Sequence, residues 1–282
     1  MKQPTLLPPE PPWLPDLLGT LAEHEYLAVH QIAALLGRES GDVVPVLERL
    51  ARDRQVRIVR APTGSIAYAL AIRGSRLLAE LTGDEPVPVG RARSAAILDH
   101  ELLKNDLSVV LQLLDAQGAL ELLAWKTARD ELADAIHLTR GRRAERVPLV
   151  ADALAVLGTP AGPTALLVEI DMGTVSLARM RRKFEGYAAW WRGKGPERRF
   201  GIRSLRVLTI AKHEARMARL CAAAAEAVGS DAHGLLWFAS ADVLDADAPE
   251  KLLEPWFRTA RPDDGLHALF RSAGQSSHGQ SG

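Results

Sequence analysis

The run TALLVEID, Thr164–Asp171, is apolar for most of its length and then carries two acids, Glu169 and Asp171. A near-continuous apolar run of this length fits a strand buried on both faces, which requires a sheet with cover on each side. Alternation along a strand puts Glu169 and Asp171 on one side and Val168 and Ile170 on the other. The preceding segment VPLVADALAVL (147–157) reads as a second strand, with Asp152 in the row Val150, Asp152, Leu154, Val156. A carboxylate buried without a partner is costly, so a cation is needed beside these acids. It can be a metal ion or a basic side chain. With Asp152, Glu169 and Asp171 as ligands near adjacent strand ends, Mg²⁺ or Mn²⁺ would suit, and such an ion activates water for phosphodiester cleavage. Alternatively, Asp171 ends its strand at the cap of the next helix and Asp152 pairs with an arginine.

That next segment, SLARMRRKFEGYAAWWRG (176–193), has helical spacing with a buried stripe at Leu177, Met180, Phe184, Ala188 and Trp191. Lys183 and Tyr187, four residues apart, lie along one flank of it, and Lys183 is aimed back at Glu169 and Asp171. Residues 179–206 hold ten Lys or Arg against two Glu, including Arg179, Arg181 and Arg182. A second basic stretch, RGRRAER (140–146), reads as a loop carrying Arg142 and Arg143. The two clusters bracket the acids and suit a polyanion, with Tyr187 and Trp190 as base-stacking candidates; a charge run of this kind also serves as a solvated face. The remaining elements of 97–259 are a long helix (97–118) and strands at 121–128, 204–211 and 234–240. A helix at 213–229 and a last helical stretch near 249–259 complete the set. Together they make a mixed sheet covered by helices. Glu101, on the first of these helices, is either a fourth carboxylate for the acid site or a surface residue.

Residues 16–83 have a different character. Helical segments at 16–24 and 30–37 precede DVVPVLERLARDRQ (42–55), with Asp42 as N-cap, Pro45 in the first turn and an apolar stripe at Val43, Val46, Leu47 and Leu50. Then come VRIVRA and SIAYALA around the turn Pro62-Thr63-Gly64, which read as a β-hairpin, and a fourth helix at 73–83. This order is that of a winged helix-turn-helix. The third segment is its recognition helix, carrying Arg49, Arg52 and Arg54, and the wing adds Arg57 and Arg60. Helix and wing reach the grooves and phosphates of duplex DNA. The same module also serves as a protein-binding surface. The expected divisions are a proline-rich lead-in (1–15), this module (16–83), a linker (84–96), the second domain (97–259) and a disordered tail (260–282).

The 35 basic and 35 acidic residues balance, so any nucleic-acid signal is local. The single cysteine, Cys221, excludes intramolecular disulfides and fits a reducing compartment. Inside an alanine-rich helix it reads as buried and inert. No apolar run is long enough to span a bilayer, and the prolines of the first residues break any signal-peptide helix. The expectation is a cytoplasmic protein without membrane contact. No Walker loop, dinucleotide fingerprint or nucleophilic triad is present.

Several pieces, among them YLAVHQIAALLG, LDHELLKNDLSVVL and LLVEIDMGTVSLARMRRKFEGYAAWW, resemble the replication-relaxation family of bacterial plasmids and mobile elements. The resemblance runs over about residues 20–258. It implies an α+β chain with an N-terminal winged helix and a restriction-endonuclease-like domain of the PD-(D/E)xK type, similar to plasmid relaxases of the MOBC class. Under it Asp152 and Glu169 stand for the two motif acids. The motif lysine is replaced by Asp171, and Lys183 fills its space from the next helix. Glu101 matches a first-helix glutamate, and Tyr187 is a candidate for a phosphotyrosyl link. The implied partners are double-stranded DNA and replication or transfer proteins. The implied activity is Mg²⁺- or Mn²⁺-dependent nicking, with a non-catalytic DNA-binding regulator and a protein-binding adaptor as alternatives.

Overall fold

The computed structural model describes residues 10–90, 94–127, 132–140, 143–160, 162–261 and 265–269. Most of the proline-rich lead-in, Arg142, the Arg143 side chain and the tail from residue 270 onward lie outside the described residues. The chain forms two compact units, Met1–Asn105 and Asp106–Gly282. The division falls within the long helix rather than in the proline-containing segment 84–96.

The first unit contains α1 (Leu14–Glu23), α2 (Val29–Leu36) and α3 (Ser40–Arg52), the hairpin β1 (Val56–Arg60) and β2 (Ile66–Leu70), and α4 (Ile72–Thr82). Helix α1 buries Leu14, Leu17, Leu18 and Leu21, one stripe at helical spacing, and α3 adds Val43, Leu47 and Leu50 to the same core. Helix α3 starts earlier than expected. Glu39 is its N-cap and Asp42 lies in its first turn, so Pro45 sits inside the helix and removes one backbone bond there. The hairpin is antiparallel, with Val56 opposite Leu70 and Arg60 opposite Ile66. Gly74 lets α4 press against the main chain after α3: a β-carbon there would stand 2.1 Å from the Gln55 carbonyl oxygen.

The first half of α5 (Leu98–Ala116) completes this unit, with Leu98 and Leu102 packed among Tyr26, Ala28, Ala67 and Ala69. Buried polar groups fix the contact. The Gln31 amide donates to the Leu102 carbonyl at 2.8 Å, and Asn105 donates to the Tyr26 carbonyl.

The second unit contains β3 (Glu121–Lys126), β4 (Ala133–Arg140), β5 (Arg143–Val150), β6 (Ala153–Gly158), β7 (Thr164–Asp171), α6 (Leu177–Arg192), α7 (Gly195–Phe200), β8 (Ser204–Ala211), α8 (Glu214–Ala227), β9 (Leu236–Ser240) and β10 (Arg258–Thr259). Its main sheet is mixed, in the order β10-β9-β8-β7-β6-β3, with β7, β8 and β9 parallel and the remaining pairs antiparallel. All eight residues of β7 are buried, as its apolar run requires. On one face of the sheet, Met180, Phe184 and Ala188 of α6 and Met217, Leu220 and Ala224 of α8 share a core with Leu167, Val207 and Phe238.

Three expectations for this unit are corrected. The segment 147–157 is not one strand: it breaks at Ala151-Asp152, and its halves join different sheets, β5 pairing with β4 and β6 with β7. Asp152 therefore sits in the connection and not in a strand row. The basic loop at 140–146 is largely strand, because Arg140 ends β4 and Arg143–Arg146 begin β5. The stretch 249–259 is a 3₁₀ turn at Pro249–Leu253 followed by β10, not a helix. The β4–β5 ribbon is held to α6 by the Trp190 indole N–H, which donates to Asp134 at 2.8 Å. Gly186 allows close contact there, since a β-carbon would meet Leu149 Cδ2 at 2.9 Å and Val147 Cγ1 at 3.0 Å.

The Gln55 contact yields a test. In Gly74→Ala the nearest clash is with the Gln55 main chain, which cannot swing aside as a side chain can, so chemical denaturation should show the first unit destabilised by about 2 kcal/mol, the cost of overpacking. An unchanged midpoint would refute the tight α4 contact.

Candidate functional site

Strand β7 delivers Glu169 to the sheet face shared with α6 and α8, in register with Thr209 of β8. Ser176 caps α6, its hydroxyl accepting from the Arg179 N–H, and two turns later the expected flank arrives: Lys183 and Tyr187 both reach Glu169. Lys183 Nζ bonds Oε2 and the Tyr187 hydroxyl donates to Oε1. Lys183 also donates to the Val150 carbonyl at 2.9 Å, tying α6 to the end of the ribbon. Asp152 joins from the connection after β5. Its Oδ2 accepts from the Ile170 N–H at 2.8 Å, while its own N–H donates to the Val168 carbonyl at 2.9 Å. Asp152, Glu169, Lys183 and Tyr187 thus form one cluster.

The cluster is closed. Glu169 is 4% exposed and Tyr187 1%, while the Lys183 side chain keeps 24% of its surface. Burial pushes the Glu169 carboxyl up to about 7 against the pull of Lys183, and the nearby Asp152 charge adds to the rise. Burial and the adjoining Glu169 hold the Tyr187 phenol well above its ordinary value. Its hydroxyl is an internal donor, not a group facing solvent. The expected stacking surface is likewise absorbed into the core, since Trp190 is buried and Trp191 only partly so.

Asp171 goes elsewhere. Arg216 of α8 grips it as a fork, Nε to Oδ1 and Nη2 to Oδ2, both at 2.9 Å, and the Gly173 N–H donates to Oδ1 at 2.7 Å. Lys183 therefore serves one of its two expected acids. Among the described residues no group of three or more His, Cys, Asp or Glu side chains is placed to hold a metal ion. The residues fit a two-carboxylate site at most, Asp152 with Glu169, and both oxygens of Glu169 are already engaged. Sequence reasoning missed Arg216. The signal available was topological: a helix that follows the parallel neighbour of β7 starts beside the carboxyl end of β7.

Glu101 belongs to the first unit, where it pairs with Lys104 across one helical turn. Burial raises its pKa, but His100 and Lys104 overcome this and hold it down to about 2.

Of the arginines expected on DNA, Arg52, Arg54 and Arg60 are exposed. Arg49 faces Glu10 at 3.7 Å, and Arg57 donates to the Gly90 carbonyl at 3.3 Å. In the second unit Arg179 is exposed, Arg181 pairs with Glu226 and Arg182 with Glu145 at 3.8 Å. Arg192 is matched by Asp231 at 2.7 Å and Arg203 by Glu197 at 3.1 Å. Glu226, Glu145 and Asp231, acids from outside the basic stretch, thus offset part of its charge, while Glu197 lies within the stretch. Cys221 is only half-buried; its thiol donates to the Thr259 carbonyl at 3.0 Å, and burial raises its pKa.

A family model described as replication-relaxation matches residues 18–204, more than half of the chain. The chain belongs to the replication-relaxation family. No curated protein and no solved structure matches it. The replication-relaxation match includes both the N-terminal helices and hairpin and the Asp152–Glu169–Lys183–Tyr187 cluster, but ends before Arg216. Among the described residues no helix is long and apolar enough to cross a membrane.

The electrostatics make two predictions. Arg216→Ala leaves Asp171, 3% exposed, as a buried charge without its fork, and should lower stability by about 3–5 kcal/mol in thermal or urea unfolding. A loss below about 1 kcal/mol would show that Asp171 is solvated. For Glu169 the folded pKa lies above the ordinary carboxyl value of 4.5, so its contribution is most favourable below about pH 4.5 and is lost as pH rises to about 7. The change is about 3 kcal/mol. Glu169→Gln should remove this component from the pH–stability curve, and an identical curve for the variant would contradict the assignment.

Proposed function

We propose that this chain is a DNA-binding protein of plasmid or mobile-element replication or mobilisation, acting in the cytoplasm where its DNA resides. In this reading the first unit is a winged helix-turn-helix, with α3 in the major groove and the β1–β2 hairpin as the wing. The observation that carries it is the order of three helices, antiparallel hairpin and helix, with Arg52, Arg54 and Arg60 exposed on α3, on the turn after it and on the hairpin. Membership of the replication-relaxation family supplies the biological setting. The second unit is read as a PD-(D/E)xK-type fold whose acids are held in ion pairs, so that it contributes binding and architecture. Arg179, exposed at the start of α6, is its phosphate contact.

A second reading is favoured by one observation: Asp152, Glu169 and Lys183 still meet. Under it the second unit is a nickase in which Asp152 and Glu169 would hold Mg²⁺ or Mn²⁺. The ion supplies water activation, and Lys183 supplies positive charge beside the phosphate.

Gel shifts and a supercoiled-plasmid assay test both. The full chain should shift duplex DNA. Replacing Arg52, Arg54 and Arg60 together by Ala should weaken binding at least about tenfold and reduce the salt slope by up to about 2.7. In the binding reading, plasmid incubated with Mg²⁺ or Mn²⁺ stays supercoiled. Nicking by the wild type that Glu169→Gln abolishes would establish the nickase instead. Failure to shift any duplex would refute both and leave a protein-binding adaptor for replication or transfer proteins.

A further inference from the structure

A cavity of about 360 Å³ opens in the second unit, well away in sequence from the acid cluster. It lies where β9 ends at Ser240 and α8 begins at Glu214, beside the parallel pair β8–β9. Ligands of open α/β sheets collect beyond the carboxyl ends of parallel strands. Its apolar surfaces are Met217, Val243, Trp256 and Leu266. Trp256 and Leu266 are 47% and 49% exposed, unusual for large apolar side chains beside a cavity. The Trp256 ring is held in place, its indole N–H donating to Glu254 at 3.0 Å. Glu214 and Asp242 also line the cavity, and the Ser240 hydroxyl orients Asp242 at 3.0 Å. Lys251, held by Asp245, and Arg258, exposed on the edge strand β10, complete the lining.

From these features we propose that the cavity binds an amine-bearing nucleobase with its attached phosphate, as presented by single-stranded DNA. The proposal rests on the reading that the chain engages DNA, and adds a site for an unpaired base. A fixed, half-exposed indole is a stacking surface for a planar ring, and stacking is the usual source of single-strand affinity. Arg258 provides the cation for the phosphate. Carboxylates accept hydrogen bonds and cannot donate them, so Glu214 and Asp242 favour bases with an exocyclic amine, such as cytosine, over thymine, whose single edge donor, N3–H, is flanked by two carbonyl oxygens that repel a carboxylate. A base within a duplex is stacked and paired, and cannot enter.

The test uses the full chain and three probes: oligo(dC), oligo(dT) of equal length, and dCMP, each titrated against tryptophan fluorescence. Oligo(dC) should quench the signal and bind at least about tenfold more tightly than oligo(dT). Trp256→Ala, a change at an exposed position, should remove the quenching and weaken oligo(dC) binding at least about tenfold in an independent filter-binding measurement. Asp242→Asn should narrow the preference for oligo(dC). Equal quenching by dCMP and oligo(dC) assigns the site to free nucleotide, and quenching by the oligomer alone assigns it to a strand; both support the site. Equal binding of oligo(dC) and oligo(dT), or oligo(dC) binding unaffected by Trp256→Ala, overturns it. The duplex reading is scored separately: Trp256→Ala should leave the duplex shift unchanged. Loss of the shift in the Arg52, Arg54 and Arg60 variant should leave the quenching intact.

Discussion

The Lys183–Glu169 pair is the constraint around which the second unit is arranged. A glutamate in the middle of a fully buried strand is tolerated only with a cation and hydrogen bonds supplied from the protein itself, and α6 supplies both through Lys183 and Tyr187. The same ammonium bonds the Val150 carbonyl, so one side chain links β7, α6 and the end of the β4–β5 ribbon. Such pairs add little net stability compared with an apolar core, but they penalise any other register of helix on sheet, since a shifted α6 would leave the acid uncompensated. The Asp171–Arg216 fork acts likewise between β7 and α8. Two acids on one strand therefore specify the placement of two helices.

The part of this arrangement that depends on local periodicity was readable from the sequence. Alternation placed Glu169 and Asp171 on one side of β7, and the i, i+4 spacing of Lys183 and Tyr187 placed both on one flank of α6 with Lys183 aimed at the acids, whereas the bond from Tyr187 to Glu169 is seen only in the structure. What periodicity cannot report is the identity of a distant partner. The apolar run 147–157 shows burial but not that its two halves enter different sheets, because a strand paired in either sheet has the same pattern. Asp152 marks the break. Trp190 was harder still: it lies at the edge of the apolar stripe of α6, and its burial follows from the ribbon and its bond to Asp134, an element that the sequence pattern does not reveal. Arg216 is 45 residues from Asp171 and becomes visible only once the parallel β7–β8 crossover is known.

Charge has to be judged after pairing. By composition residues 179–206 are strongly basic, yet Glu145, Glu226 and Asp231 fold back onto Arg182, Arg181 and Arg192. Exposed ion pairs of this kind contribute little to stability, but they reduce the field that a polyanion would feel. In the first unit, by contrast, Arg52, Arg54 and Arg60 stay exposed on α3, on the turn after it and on the β1–β2 hairpin. The argument for DNA therefore rests on fewer arginines than a count suggests, and on where those arginines stand.

The extent of the family match separates the two candidate sites of the second unit. Residues 18–204 contain β7, α6 and the whole Lys183–Glu169 cluster, but neither β8, which pairs with β7 along its full length, nor Arg216. A strand with every residue buried is not stable without its neighbours, so the segment after 204 is required to form the acid cluster although it contributes none of its four side chains. Every residue lining the cavity, from Glu214 to Leu266, belongs to that later segment. The cluster is thus built from matched sequence on a support that lies outside the match, whereas the cavity is made from the support itself. A ligand in the cavity would stabilise α8, β9 and β10, and with them the position of Arg216.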